Sequence, residues 1–180
     1  FLCEIKLYRI GDSKPAVKFE VIEKPNDWTK EVKKNEFANE SQQQRYEYWV
    51  AFQDYAFKNT EFARIFNRRK PSMDHWLNYS VGSSACHIAV SQIRKRSELY
   101  VELYIDDDKK LFHELEKNKE KIESDAGLTL NWRELPQRKA SRIGIEKNDV
   151  KFDDKSQWAG QFDWIIDVML RIKKAFKVHL

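Results

Sequence analysis

Glu98-Leu99-Tyr100-Val101-Glu102-Leu103-Tyr104-Ile105 decides how this chain is read. Leu99, Val101, Leu103 and Ile105 fall at alternate positions, and Tyr100, Glu102 and Tyr104 fill the positions between. Successive side chains of a strand point to opposite faces, so this is a strand with one apolar face and one aromatic, polar face.

Working outward, the polar loop Arg94-Lys95-Arg96-Ser97 leads back to a strand from Ala85 to Ile93, and Gly82-Ser83-Ser84 turns to another from Trp76 to Val81. Connections this short make the three strands antiparallel neighbours. Downstream, Asp106-Asp107-Asp108 opens a helix carrying Leu111, Phe112, Leu115, Ile122 and Ala126, closed by Gly127. Strands from Leu128 to Glu134 and from Ala140 to Lys147 flank the loop Leu135 to Lys139. Ser156 is placed to cap a long final helix whose stripe is Trp158, Phe162, Ile165, Ile166, Met169, Ile172 and Phe176.

Ahead of the strands, Ser41 to about Lys58 has helical spacing, with Tyr46, Trp49, Val50, Gln53 and Phe57 on one face. Phe62, Ile65 and Phe66 follow, and Pro71 discourages helix at Lys70. The order α-β-β-β-α-β-β-α predicts an α+β domain over 41–180, a five-stranded, largely antiparallel sheet with helices mainly on one face. Residues 1–28 read as extended: Ile5, Leu7 and Tyr8 suit a short strand, Gly11-Asp12-Ser13 a turn, and Val17, Phe19 and Val21 alternate with charges. Pro25-Asn26-Asp27 breaks the pattern, and the charged stretch 29–40 reads as a linker.

An apolar content of 41% beside 34% charge places the chain among globular proteins with enough residues for one sizeable core. Its apolar runs are too short to span a bilayer, and no secretory segment is visible, so the expectation is a cytoplasmic protein without a membrane partner. Without an initiator Met, and with a strand beginning at once, the chain reads as a piece of a longer protein. Cys3 and Cys86 match no CxxC spacing and are read as reduced thiols. Thirty-three basic residues stand against 29 acidic ones, so net charge alone does not make this a nucleic-acid binder.

No complete catalytic motif is present. Glu4-Ile5-Lys6 has the E-x-K form of a metal-dependent nuclease strand, but that chemistry needs a second carboxylate on a neighbouring strand, and a charged strand edge explains it. Asp106-Asp107-Asp108 lacks the alternating spacing and glycine of a calcium loop and suits a helix N-terminus. His75, His87, His113 and His179 have no metal-ligand spacing, and neither a nucleophile elbow nor a phosphate-binding glycine loop occurs. The expectation is no catalytic residue, no metal and no cofactor in this stretch.

Basic clusters remain. Residues 58–74 hold Lys58, Arg64, Arg68, Arg69 and Lys70 against Glu61 and Asp74. Arg94, Lys95 and Arg96 fill a hairpin tip, and Arg133, Arg138, Lys139 and Arg142 surround the last strand connection. Such clusters bind phosphate backbones, and Tyr100, Tyr104 and Trp132 are candidates to stack on unpaired bases from an open sheet face. Alternation places Arg133 and Arg142 on the face opposite the core, beside Lys139. The candidate nucleic-acid-binding residues are Arg133, Lys139, Arg142, Tyr100, Tyr104, Arg68, Arg69 and Lys70. A solvated surface of scattered charge pairs explains the same residues almost as well.

Several stretches stand out as a set: Lys70-Pro71-Ser72-Met73-Asp74-His75-Trp76, Tyr100-Val101-Glu102-Leu103-Tyr104-Ile105, Trp132-Arg133-Glu134-Leu135-Pro136, Lys139-Ala140-Ser141-Arg142-Ile143, and the pair Trp158 and Trp164. With them, residues from about 42 to 179 resemble the domain of unknown function 4268, a C-terminal domain of bacterial and archaeal proteins. Glu4 to Ala16 and Lys24-Pro25-Asn26-Asp27-Trp28 resemble the end of a restriction-endonuclease-like domain, which implies that catalytic carboxylates lie upstream of this chain. The resemblance carries no mechanism for the domain itself. Together the readings give a non-catalytic accessory module that binds DNA or RNA beside a nuclease-like domain in DNA processing or defence. The alternatives are a structural or homodimerising module that mates through the aromatic final helix, and an enzyme whose site is not legible.

Overall fold

The computed structural model describes residues 2–8, 14, 16–23 and 39–180. They belong to two units, Phe1–Gln43 and Gln44–Leu180. In the first, strands β1 (Leu2–Tyr8) and β2 (Ala16–Glu23) pair antiparallel with Ile5 opposite Phe19 and Leu7 opposite Val17. The turn expected at Gly11-Asp12-Ser13, the break at Pro25-Asn26-Asp27 and nearly all of the linker lie outside the described residues.

In the second unit, helices α1 (Glu40–Ala56, its first residues within the first unit) and α2 (Thr60–Ile65) precede three strands, β3 (Trp76–Ser80), β4 (Cys86–Ile93) and β5 (Glu98–Ile105). Then come α3 (Lys109–Glu116), α4 (Lys119–Ala126), β6 (Asn131–Arg133), β7 (Ser141–Lys147) and α5 (Trp158–Phe176). The five strands of this unit form one sheet in the order β3-β4-β5-β7-β6, every neighbouring pair antiparallel. This is the α+β architecture, with a five-stranded antiparallel sheet, that the order of elements in the sequence predicts.

Leu99, Val101, Leu103 and Ile105 are fully buried, in one core with Ile88 and Val90 of β4, Ile143 of β7, and Phe162, Ile165, Met169 and Ile172 of α5. α5 packs against β4 and β5, and α3 against β5. The aromatics of α1 enter the same core: Tyr48 meets Trp49, Phe152, Trp158 and Phe162 edge-on at 5.1–5.5 Å between ring centroids. Its hydroxyl donates to Gln161 Oε1 at 3.0 Å, which lets a polar tip sit inside, and burial raises the phenol's pKa far above its ordinary value.

Four local expectations change. The buried stripe of α1 is Tyr48, Trp49, Phe52, Gln53 and Ala56, turned by about one residue from the expected face. The single helix expected after Asp108 is two, because the Asn118 side chain donates to Glu114 O at 3.1 Å and serves a carbonyl at the end of α3. Asp108 does cap α3, accepting from Leu111 N at 2.8 Å. β6 is three residues long, not seven, since Leu130 N donates to Glu123 Oε1 at 2.8 Å instead of joining the ladder. The entry to α5 is a 3₁₀ turn, Lys155–Gln157, capped by Asp154, whose carboxylate accepts from Ser156 N at 3.0 Å; Ser156 is not itself the cap.

Lys109 ties α3 to the β6–β7 connection. Its ammonium donates to the carbonyls of Glu134, Leu135 and Ala140 and to Ser141 Oγ, so the loop beneath Arg133 and Arg142 is held from below by one cation.

Candidate functional site

The register sets three rows across the face of the sheet opposite the core. Trp76, Ser91 and Tyr100 align in one row, Asn78, Ala89, Glu102 and Gly144 in the next, and Ser80, His87, Tyr104, Arg142 and Arg133 in the third. Small residues in the middle and large ones around them leave a basin of about 390 Å³, within the ordinary range of ligand pockets.

Glu102 lies at its floor, 1% exposed, although it sits on the face away from the hydrophobic core. Two guanidiniums share it: Arg133 Nη2 bonds Oε1, and Arg142 Nη1 stands 3.5 Å from Oε2. One carboxylate against two guanidiniums leaves one positive charge at this point. The guanidiniums in turn lie over the tyrosines, Arg133 5.5 Å from the Tyr100 ring centre and Arg142 5.1 Å from that of Tyr104. Gly144 makes the arrangement possible. A Cβ there would come 2.3 Å from Val101 O and 2.6 Å from Glu102 Cα, so β5 and β7 approach too closely for any side chain.

Tyr104 is enclosed on both sides, since His87 of β4 stacks on it at 5.1 Å and 25° while Arg142 reaches it from β7. His87 Nδ1 also stands 3.5 Å from Asp106 Oδ2. Tyr100 donates its hydroxyl proton to Glu98 Oε2 at 2.7 Å and accepts from Arg96 Nη2 at 3.2 Å. Burial first, and then the bond to Glu98, push its pKa up, so it stays a neutral donor. His75, edge-on to Trp76 at 4.4 Å between ring centres, has its pKa lowered by burial and by nearby Arg45, so it is a neutral imidazole at neutral pH. Three polar atoms of the basin residues are buried without a hydrogen-bond partner: Asn78 Oδ1, Arg133 Nε and Arg142 Nε. Buried polar groups are normally satisfied, so three such atoms around one cavity mark a place built for something polar.

Of the candidate residues, Tyr100, Tyr104, Arg133 and Arg142 meet in the basin. Lys139 does not line it: its side chain is 84% exposed and pairs with Asp107 at 3.1 Å. Arg69 and Lys70 line a neighbouring groove that shares Trp76 and Asn78 with the basin. Arg68 borders that groove but pairs with Asp54 at 3.2 Å over the Phe57 ring. Trp132 faces the core, against Phe112 and Phe176, and donates to Glu123 Oε1 at 3.1 Å, so it offers no stacking surface on the basin side. Arg94 turns away from the hairpin tip to Asp153, at 2.6 Å, and only Arg96 of that turn reaches the basin.

Sequence reasoning missed Glu102, Trp76 and Asn78 as site residues. Glu102 sits midway between two tyrosines already assigned to the face, so the i, i+2 spacing carried the signal. For Trp76 and Asn78 the signal was weaker, because it required the pairing of β3 with β4. Among the described residues, no three His, Cys, Asp or Glu side chains come together as a metal site. No described helix is long and apolar enough to cross a membrane.

Neither a curated protein nor a solved structure matches the chain. A family model described as a domain of unknown function, DUF4268, matches residues 44–180, the whole of the second unit, basin included. The chain therefore belongs to the DUF4268 family.

Proposed function

We propose that residues 44–180 form a non-catalytic module that binds nucleic acid through the basin face, beside a nuclease-like domain of which residues 1–28 resemble the tail. On this reading the full protein acts in prokaryotic, cytoplasmic DNA processing or defence. One observation carries it: Arg133 and Arg142 converge on one carboxylate and retain a net positive charge beside Tyr100, and the rim continues past Trp76 to Arg69 and Lys70. Among the described residues neither Arg69 nor Lys70 forms an ion pair, which leaves their charge for phosphate. The competing reading, dimerisation through the final helix, relies on an apolar stripe that is spent on the domain's own core, since Phe162, Ile165, Ile166, Met169, Ile172 and Phe176 are all buried there.

Fluorescence anisotropy with labelled single- and double-stranded DNA and RNA, at about 50 and about 200 mM salt, tests the proposal. Binding should weaken steeply with salt, and the Arg69→Ala/Lys70→Ala variant should reduce the slope of log K against log salt by about two. Absence of binding, or binding indifferent to salt, would remove this reading. A mass that rises with protein concentration in the same samples would favour the dimerising module.

A further inference from the structure

The strand register leaves a trough over β4, and its two walls differ in chemistry. In one row Trp76 of β3 and Tyr100 of β5 face each other across Ser91. In the next, Asn78 and Glu102 face each other across Ala89. Strands two places apart are separated by about 10 Å, and two successive ring-on-ring steps span about 9–14 Å. One flat ring therefore fits between Trp76 and Tyr100, and only a small residue lies beneath it.

Trp76 is a large apolar side chain left 40% exposed. Tyr100 carries two guanidiniums, Arg133 of β6 at 5.5 Å and Arg96 of the turn between β4 and β5 at 5.9 Å from its ring centre, so an incoming ring takes the place of the outlying Arg96. Tyr104, sandwiched between His87 and Arg142, cannot act in this way and serves to hold them. Beside the ring position, Asn78 Oδ1 is a buried acceptor without a donor, and Arg133 Nε and Arg142 Nε are buried donors without an acceptor. A group that completes these partners needs a donor edge on a flat ring and an attached anion.

We infer that this trough takes a single unpaired nucleobase, its ring between Trp76 and Tyr100, its donor edge on Asn78 Oδ1, and its phosphate toward the Arg133–Arg142 pair. The inference rests on the nucleic-acid reading and deepens it from a charged face to a base pocket. A base held in a duplex cannot enter, because its edge is paired and its faces are stacked.

The test compares one single-stranded DNA oligonucleotide with a chain of equal length and equal phosphate number whose sugars carry no bases, and with the same sequence as a duplex. The full chain should bind the base-bearing strand about ten-fold or more tightly than either comparator at one salt concentration. Trp76→Ala should abolish that preference and leave the salt slope unchanged, and Asn78→Ala should make affinity less dependent on which base is offered. Thermal unfolding of both variants shows whether the fold persists, and Trp76→Phe, which keeps a ring, should restore most of the preference. Equal, salt-dependent binding of all three oligomers would overturn the base pocket and leave the charged face standing. Failure of the wild-type chain to bind any of them would overturn the charged face, and the pocket with it.

Discussion

The two faces of β5 use the same strand for opposite ends. One presents Leu99, Val101, Leu103 and Ile105, each fully buried and matched by apolar side chains from the helices. The other presents Tyr100, Glu102 and Tyr104, and its central residue is almost as inaccessible, at 1% exposure, yet charged. Hydrophobic burial explains the first face completely. It does not explain the second, where apolar groups of similar size would serve stability equally well or better than a buried carboxylate shared by two guanidiniums. Chemistry that stability does not require is what the proposed binding role would account for.

The contrast can be broken by mutation. On the covered face, Leu103→Ala should cost about 3–4 kcal/mol in urea unfolding, as expected for a large-to-small change in a packed core. A loss near 1 kcal/mol would mean that the two faces do not differ in packing. On the basin face, Glu102→Ala should cost less, about 2 kcal/mol. It strands two guanidiniums, but their side chains keep 37% and 33% exposure and can recover water. Replacing Glu102, Arg133 and Arg142 together by Met should restore most of that stability while abolishing nucleic-acid binding. A triple variant that binds normally would show the cluster to be structural. At the rim, Lys139→Ala should shift stability by no more than about 0.5 kcal/mol, since its pair with Asp107 is largely exposed. Differential scanning calorimetry resolves that difference, and a larger effect would mean that the loop carries more of the fold than its exposure suggests.

Most of the architecture was legible in the sequence because period-two alternation fixes both the strands and their buried face. The departures share a cause: side chains that bond the backbone override the pattern. Glu123 draws Leu130 out of β6, Asn118 splits the helix after Asp108, and Asp154 replaces Ser156 as the cap. None of these contacts leaves a periodic trace. The basin was half legible. Alternation put Tyr100, Tyr104, Arg133 and Arg142 on one surface, but the partner of each cation depends on which strands are neighbours. Lys139 found Asp107, Arg94 found Asp153, and the two central arginines found Glu102.

Gly144 sets a limit on how this site can change. The close approach it permits makes the depth of the basin a property of the main chain, since the floor beside Glu102 is backbone where a side chain would otherwise stand. Trp76, Asn78 and Arg96 come from β3 and from the turn between β4 and β5, clear of that contact. On the proposed function, exchanges at these positions alter ligand preference without rebuilding the container. Position 144 itself is closed to every residue with a Cβ, so the module separates a fixed mould from an adjustable rim.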